Sequence, residues 1–528
     1  MKIVLSVFII FFISFQSFSN GAEIIYKNSA EFRKAEFKHI ISGKAPSGSC
    51  NAITRREFSS RLSGDTVNEN NGFNTSMDFT LTPYAAAFFS PYATYGKTYP
   101  LQMVYLHDKS IDALKIKADI EYEESLYLKF TYSLSSSAKS ISDGWNAHHP
   151  LNPDFYSPAD SPDEGYISYA KNHFSLTIGR FRGGIGHGLI GNTFQNGKAP
   201  YYDQIQLNLY STKFKFYFML GSSNHQLSKE EDFIQDRRSD YTDYEKTWGT
   251  AYNNRHKQSK ISDNSKMFAF HRVEVSPFDK FSFGIGEMNL IGGKFPDLNQ
   301  INPLGIYHDT YDPDFHSYTF SIDASFVPSP NHFLFSELLI NEIEVTGERN
   351  EDPTALGAQI GYWYILPTKS SSFHRIAFEL THIDTWTYSD NVPYLTMYQR
   401  QYRNQFNYDI PLGYSYGGDC EQFSILYTYI SGNNTMIDVT LSHLSKGEIN
   451  FSPLEDGTMP YEYADKWQAR PSGTVEQWSS IDVTSSIFLD STKSIETTAM
   501  YSYIQNFNHK KDNTNHLLYI SAGLSWHF

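Results

Sequence analysis

Beyond residue 22 this chain of 528 residues has no apolar run long enough to cross a membrane as a helix. Helical membrane proteins are thereby excluded. Cysteine is scarce, with only Cys50 and Cys420. An oxidising compartment would allow a bridge, but the topology expected below puts the two at opposite ends of the fold, out of bridging range. There is no basic excess: 43 Lys and Arg stand against 58 Asp and Glu, for a net charge of -15. That balance argues against nucleic acid as a partner. Catalytic signatures are missing too. We find no Gly-x-Ser-x-Gly elbow, no His-Glu-x-x-His and no metal-spaced Cys/His set. The adjacent His148 and His149 would point apart in a strand. We therefore expect no enzyme, no metal and no cofactor.

Aromatics are what the chain has in abundance: 38 Tyr and 40 Phe, at a mean hydropathy of -0.45. A transmembrane β-barrel reconciles these, because its lipid face and girdles are aromatic while its lumen and loops are polar. The segment Leu518 to Phe528 fits a closing strand. Leu518, Ile520, Ala522, Leu524, Trp526 and Phe528 alternate with Tyr519, Ser521, Gly523, Ser525 and His527. At the other end, Met1-Lys2, an apolar stretch from Ile3 to Phe15 and Ser17-Phe18-Ser19 read as a secretory signal peptide, residues 1–22.

Alternating segments recur along the chain with connections that are short and long in turn. Short ones fall near 123–124, 171–172, 211–212, 277–279, 328–330, 367–370, 431–434 and 489–493, and they carry turn residues. Long ones fall near 135–164, 181–202, 223–266, 290–314, 344–354, 385–420, 445–477 and 507–515. Short periplasmic turns and long extracellular loops mark an outer-membrane barrel. Both ends should be periplasmic, so the strand number is even. Counting back from Phe528 predicts 18 strands, the first near 98–107, although Phe79 to Tyr95 could also be a strand. Face assignments follow from the period of two. Phe214, Phe216, Phe218 and Leu220 should face lipid, with Lys215, Tyr217 and Met219 inside; Leu126, Leu128 and Phe130 should face out, with Tyr127, Lys129 and Thr131 in. Residues 76–528 form the expected barrel. Residues 23–75 should form a small periplasmic helical element or plug, with helices at Glu31 to Ile41 and Thr54 to Leu62; a disordered N-terminus is the alternative.

Two segments then stand out. Gly179-Arg180 closes a strand and leads into glycine-rich Gly183 to Asn192; Phe270-His271-Arg272-Val273-Glu274-Val275 precedes a hairpin with Phe283-Gly284-Ile285-Gly286. This order resembles the capsule-assembly (Wzi-like) outer-membrane proteins. The loop here lacks that family's usual Trp-Gly-Pro-Gly. The resemblance implies an 18-stranded barrel with a small helical bundle and a lectin-like, non-catalytic role in holding capsular or other surface polysaccharide.

Candidate side chains are of two kinds. Long loops mix aromatics with arginine: Tyr244, Trp248 and Arg255; Trp386, Tyr388, Tyr398, Arg400 and Arg403; Tyr463, Trp467 and Arg470. Aromatic faces stack on sugars, and the guanidinium fork suits carboxylates. The plainer reading is that these rings form girdles and pack loops together. Arg272 and Glu274 should face the lumen, bracing the wall or tuning permeability, which puts His271 on the lipid side and requires it to lie near an interface. The expected partners are surface polysaccharide, outer-membrane lipid and, through the last strand, the barrel-assembly machinery. A porin or substrate-specific channel is the alternative function.

Overall fold

The computed structural model describes residues 20–46, 50, 52–64, 72–89, 112–136, 147–148, 155–156, 164–199, 201–223, 265–310, 315–342, 354–366, 368, 371–390, 393–403, 406–449 and 470–528. Eighteen antiparallel strands close into a barrel. They are β1 (Phe73–Leu81 and Tyr84–Phe89), β2 (Asp112–Tyr122), β3 (Leu126–Ser136), β4 (Glu164–Lys171), β5 (Phe174–Phe181) and β6 (Tyr202–Tyr210). Next come β7 (Phe214–Ser222), β8 (Lys266–Phe278), β9 (Phe281–Gly292), β10 (His316–Phe326), β11 (His332–Glu342) and β12 (Ala355–Leu366). The last six are β13 (Phe373–Ile383), β14 (Cys420–Ile430), β15 (Met436–Lys446), β16 (Glu476–Phe488), β17 (Lys493–Gln505) and β18 (Thr514–His527).

The eight expected short turns all join consecutive strands. Several use a left-handed residue, such as Glu123, Asn172, Asn331 or Asn434, which suits a tight hairpin. One expectation is corrected. The strand that closes the barrel against β18 is Phe73–Phe89, not 98–107, which lies outside the described residues. Trp526 pairs with Leu81 and Gly523 with Tyr84 in one continuous register across Thr82-Pro83. Pro83 lacks an amide hydrogen and interrupts the strand, so the two halves read as separate pieces in sequence. The first half shows the expected period, with Phe73, Met77 and Leu81 exposed on the outer face.

The outer wall carries exposed Ile205, Leu209, Val273, Ile285, Leu338, Ile360, Leu380, Phe423, Leu441 and Ile520. A closed barrel satisfies every strand's backbone within the wall, and an apolar outside makes lipid its solvent. This is an outer-membrane barrel, with the short turns on the periplasmic side. The face assignments hold. Lys215 and Tyr217 are buried inside while Phe214 is exposed outside, and Tyr127 and Thr131 are buried inside while Leu128 and Phe130 are exposed outside.

One helix, α1, runs from Ala30 to Ile41 behind an N-cap at Ser29 whose side chain accepts from the Phe32 amide. A short helix at Arg55–Phe58 continues as a π-turn at Ser59–Ser63. A ribbon pairing Ile24–Tyr26 with Ala52–Thr54 joins the two.

Candidate functional site

The interior of the barrel is occupied by the chain itself, from both ends. At the short-turn end, residues 20–64 touch five turns. The Gly21 amide donates to Glu124 O (3.0 Å), the Ala45 amide to Asp279 O (2.7 Å) and the Asn331 amide to Ile40 O (3.3 Å). Lys34 Nζ donates to Asn434 Oδ1 (2.7 Å), and the Arg61 guanidinium to Phe214 O (3.1 Å). Three ion pairs tie this plug to the wall: Lys215 with Glu57 at 2.6 Å, Arg61 with Glu274 at 2.5 Å, and Arg33 with Asp438 at 2.8 Å. The first two are fully buried. The alternation in β7 and β8 therefore does more than keep charge off the lipid face; it supplies partners for the plug.

Arg272 and Glu274 face inward as the period requires. The Arg272 guanidinium clasps the Asp323 carboxylate on β10 and lies 3.4 Å from Glu274. Gly284 makes room for this. A Cβ there would stand 2.0 Å from Arg272 Nη2. The pair braces wall to wall and wall to plug. His271 faces outward as the period requires, but it is not bare. It pairs with Glu287 at 3.3 Å and is covered by Tyr307, which stacks on it at 4.5 Å.

From the other end, the glycine-rich loop between β5 and β6 dips into the lumen. Ile185 bridges to Cys50 of the plug. Lys27 Nζ donates to Gly186 O at 2.8 Å and lies 3.5 Å from His187 Nδ1. His187 sits against Phe333, Phe335 and Trp363, 5.1 to 6.5 Å between ring centres. Burial first, and then Lys27, push its imidazole well below the usual histidine range. Wall carboxylates hold the loop backbone. Glu379 accepts from the Leu189 and Ile190 amides (2.8 and 3.3 Å); Glu337 accepts from Thr193 Oγ1 and the Phe194 amide (2.7 and 2.8 Å). Gly186, at φ +131, adopts a conformation that other residues rarely take.

The long segment between β13 and β14 closes over this loop. Tyr388 donates to Thr193 O, and Asn196 Nδ2 donates to Pro411 O at 3.0 Å. Trp386, Tyr388 and Tyr398 are all buried. Their rings pack loop on loop and offer no open face to a sugar, so the plainer reading applies to them. Tyr398 also lies under Lys266 Nζ, 3.8 Å from its ring centre. Arg400 and Arg403 lie on the hairpin Tyr398–Arg403 and Phe406–Pro411. Arg470 pairs with Asp384 at 2.6 Å. Burial of Asp384 works against its charge, but hydrogen bonds from His382 and the Leu356 amide, with Arg470 beside it, hold its carboxyl below the ordinary range. Tyr244, Trp248, Arg255, Tyr463 and Trp467 lie outside the described residues.

A cavity of about 610 Å³ remains between this filling and one side of the wall. Thr440, Ser442, Ser480, Asp482, Thr484 and Thr498 of β15, β16 and β17 line that side; Arg33, Glu36, Arg375 and Asp438 lie at its periplasmic part. Arg375 stacks over Trp363 and Phe37, at 4.8 and 5.3 Å, and donates to Thr428 Oγ1 at 2.8 Å. Charges of both signs and many hydroxyls make this a hydrophilic space suited to water or a polar solute. Sequence reasoning missed Glu337, Arg375 and Glu379 as site residues. The signal was present: each is a charge at an inward position with an outward apolar residue directly after it, Leu338, Ile376 and Leu380.

Fold and interior together define the class, an outer-membrane β-barrel whose lumen is plugged by its own chain. No family model matches the sequence, and no curated protein sequence is similar to it. Solved structures are similar at low identity. One is Wzi of Escherichia coli, described as an outer-membrane protein involved in group 1 capsule assembly and a carbohydrate-binding β-barrel. It is 11% identical, with 85% of this chain and 83% of that one covered, at a TM-score of 0.49. Another is OprD of Pseudomonas aeruginosa, 9% identical over 87% of this chain and 96% of that one, TM-score 0.43. A third is OmpT of Vibrio cholerae, a loop-deletion form, 8% identical over 87% and 100%, TM-score 0.33.

Proposed function

We propose that this barrel binds and organises capsular or other surface polysaccharide at the outer membrane, without catalysing a reaction, as a Wzi-like protein would. The observation that carries this reading is the filled lumen. A general porin of this strand number needs an open aqueous path, whereas here the plug is tied to the wall by buried ion pairs, meets the glycine-rich loop at Cys50 and Ile185, and that loop is hydrogen-bonded to the segment closing over it. A barrel stiffened in this way is a platform, and its working surface is the set of long extracellular loops. Surface polysaccharide is the partner proposed for those loops, and the barrel-assembly machinery the partner proposed for β18.

A second reading has its own observation. The hydrophilic cavity along β15–β17 suits a narrow substrate-specific channel. Planar-bilayer conductance of the refolded full-length protein, with a glycan pull-down from the same sample, separates the two. Silent bilayers and retention of the host's surface polysaccharide are expected. Large, steady conductance that the polysaccharide does not alter, with no retention, would overturn the reading in favour of a channel.

A further inference from the structure

The outer wall between β8 and β10 breaks the rule that outward positions are open. Ala269, Asn289 and Ile291 point outward by the period of their strands, yet each is 0% exposed, and His316 is 2% exposed. Asn289 lies under the chain between β9 and β10, residues 293–310, which folds back down the outside of the barrel. The Tyr307 and His308 amides donate to the Glu287 carboxylate at 3.0 and 2.8 Å. Asn289 Nδ2 donates to Gln300 O at 3.2 Å, and Tyr307 stacks on His271.

The depth of this contact gives it meaning. Glu287 is the seventh residue of β9, counted from the periplasmic turn. At about 3.4 Å per residue and a tilt near 40°, it stands roughly 16 Å above that turn. The apolar band of such barrels is about 25 Å tall. The His271–Glu287 pair would therefore face hydrocarbon if it were bare, where ionisable groups are costly. The loop removes it from lipid and turns a new surface outward. Phe295, Leu298, Leu304 and Ile306 are 71, 84, 81 and 63% exposed.

We propose that residues 293–310 form an apron seated at the outer-leaflet boundary, with these four side chains among the acyl chains of outer-leaflet lipid. The occupant follows from continuity, since the apron adjoins the lipid-facing Val273 and Ile285 of β8 and β9. The backbone fits the location. Irregular chain survives at such depth only with its polar groups satisfied. The Asp297 amide donates to Gln300 Oε1, the Leu304 amide to Asn302 Oδ1 and the Gly305 amide to Asn302 O. Pro296 and Pro303 have no amide hydrogen to satisfy. Exposed Asp297, Asn299 and Asn302 supply the headgroup-facing side of an amphipathic loop.

The test uses Leu298→Cys and Ile306→Cys, each labelled with an environment-sensitive fluorophore after folding, in phosphatidylcholine vesicles with or without acyl-brominated lipid. Cys50 and Cys420 are buried, and the labelled parent protein serves as blank. Leu338→Cys on the bare wall is the lipid reference, and exposed Lys511→Cys the water reference. Both apron probes should be quenched by brominated lipid at least half as strongly as Leu338→Cys. Quenching no greater than that of Lys511→Cys would overturn the proposal. So would cross-linking between copies through the apron cysteines with lipid quenching lost, which would make the face a contact with a second copy of the chain.

Discussion

The two halves of the lumen obey the same period of two but are built from different side chains. Inward positions of β6 to β12 carry Tyr202, Tyr217, Met219, Phe268, Phe270, Phe333, Phe335 and Trp363, all buried. Beside the cavity, inward positions of β15 to β17 carry Thr440, Ser442, Ser480, Asp482, Thr484 and Thr498, while Leu444, Trp478 and Ile504 are buried toward the long-loop end. The plug and the glycine-rich loop rest on the aromatic half, where Phe194 packs at a tilt on Phe270, 4.8 Å between ring centres, and His187 nests against Phe333. The cavity is left along the hydroxyl half. Large rings give contact area to whatever fills the barrel, and small hydroxyls are content with water. The side chains of the wall, rather than the length of the plug, thus decide where the interior is solid.

If the aromatic half anchors the plug, its buried ion pair should be the most sensitive point. Glu57→Ala leaves Lys215 charged and buried without its partner. Such a loss costs about 3–5 kcal/mol. Unfolding by urea in vesicles, followed by tryptophan fluorescence, should show the drop, and the double variant Glu57→Ala, Lys215→Met should recover most of it. A single variant as stable as the parent would break the comparison, since the plug would then rest elsewhere.

How much of this was legible beforehand differs by level. The eight short turns and the strand faces were, because turn chemistry and a period of two are local. The strand β1 was legible only as an optional strand at Phe79 to Tyr95, not as the one that closes the barrel. Thr82-Pro83 splits its pattern, and closure against β18 is a pairing between residues over 400 apart in sequence. The helix α1 could be seen, from Phe32, Ala35, Phe37 and Ile40, but not its seat among the turns. Aromatic loop composition could not separate sugar stacking from loop packing, and Trp386, Tyr388 and Tyr398 took the second course. Nor does anything periodic in Phe295, Leu298, Leu304 and Ile306 announce a loop that turns outward. Inward charges were readable in principle. Glu337 and Glu379 sit on the lumen side of their strands, but that they hold a loop backbone is tertiary information.

A smaller effect should come from His187, on the aromatic side. Its folded value lies below the unfolded one of about 6.5, so the unfolded chain binds the proton more readily. The contribution is intact above about pH 6.5 and is lost as pH falls below it, at up to about 1.4 kcal/mol per unit. Lys27 and, further off, Arg272 disfavour the imidazolium, while Glu274 favours it. Between pH 7.5 and 5.5 the parent should lose stability that His187→Gln does not. Equal slopes for the two would mean that the imidazole is wetter than its surroundings imply.

The smallest change in stability belongs to the hydroxyl half. Ser480 Oγ and Ser502 Oγ share a hydrogen bond of 2.7 Å beside the cavity. Ser480→Ala removes it where water can replace the partner, so the cost should stay near about 0.5–1 kcal/mol. Ser480→Trp asks more of the comparison. In a solid half an added indole would overpack and destabilise by about 1–3 kcal/mol or more; here it has a cavity of about 610 Å³ to enter. It should leave the urea midpoint close to that of Ser480→Ala. A destabilisation as large as that of Glu57→Ala would mean that the second half is as tightly filled as the first, and the division of the lumen would fail.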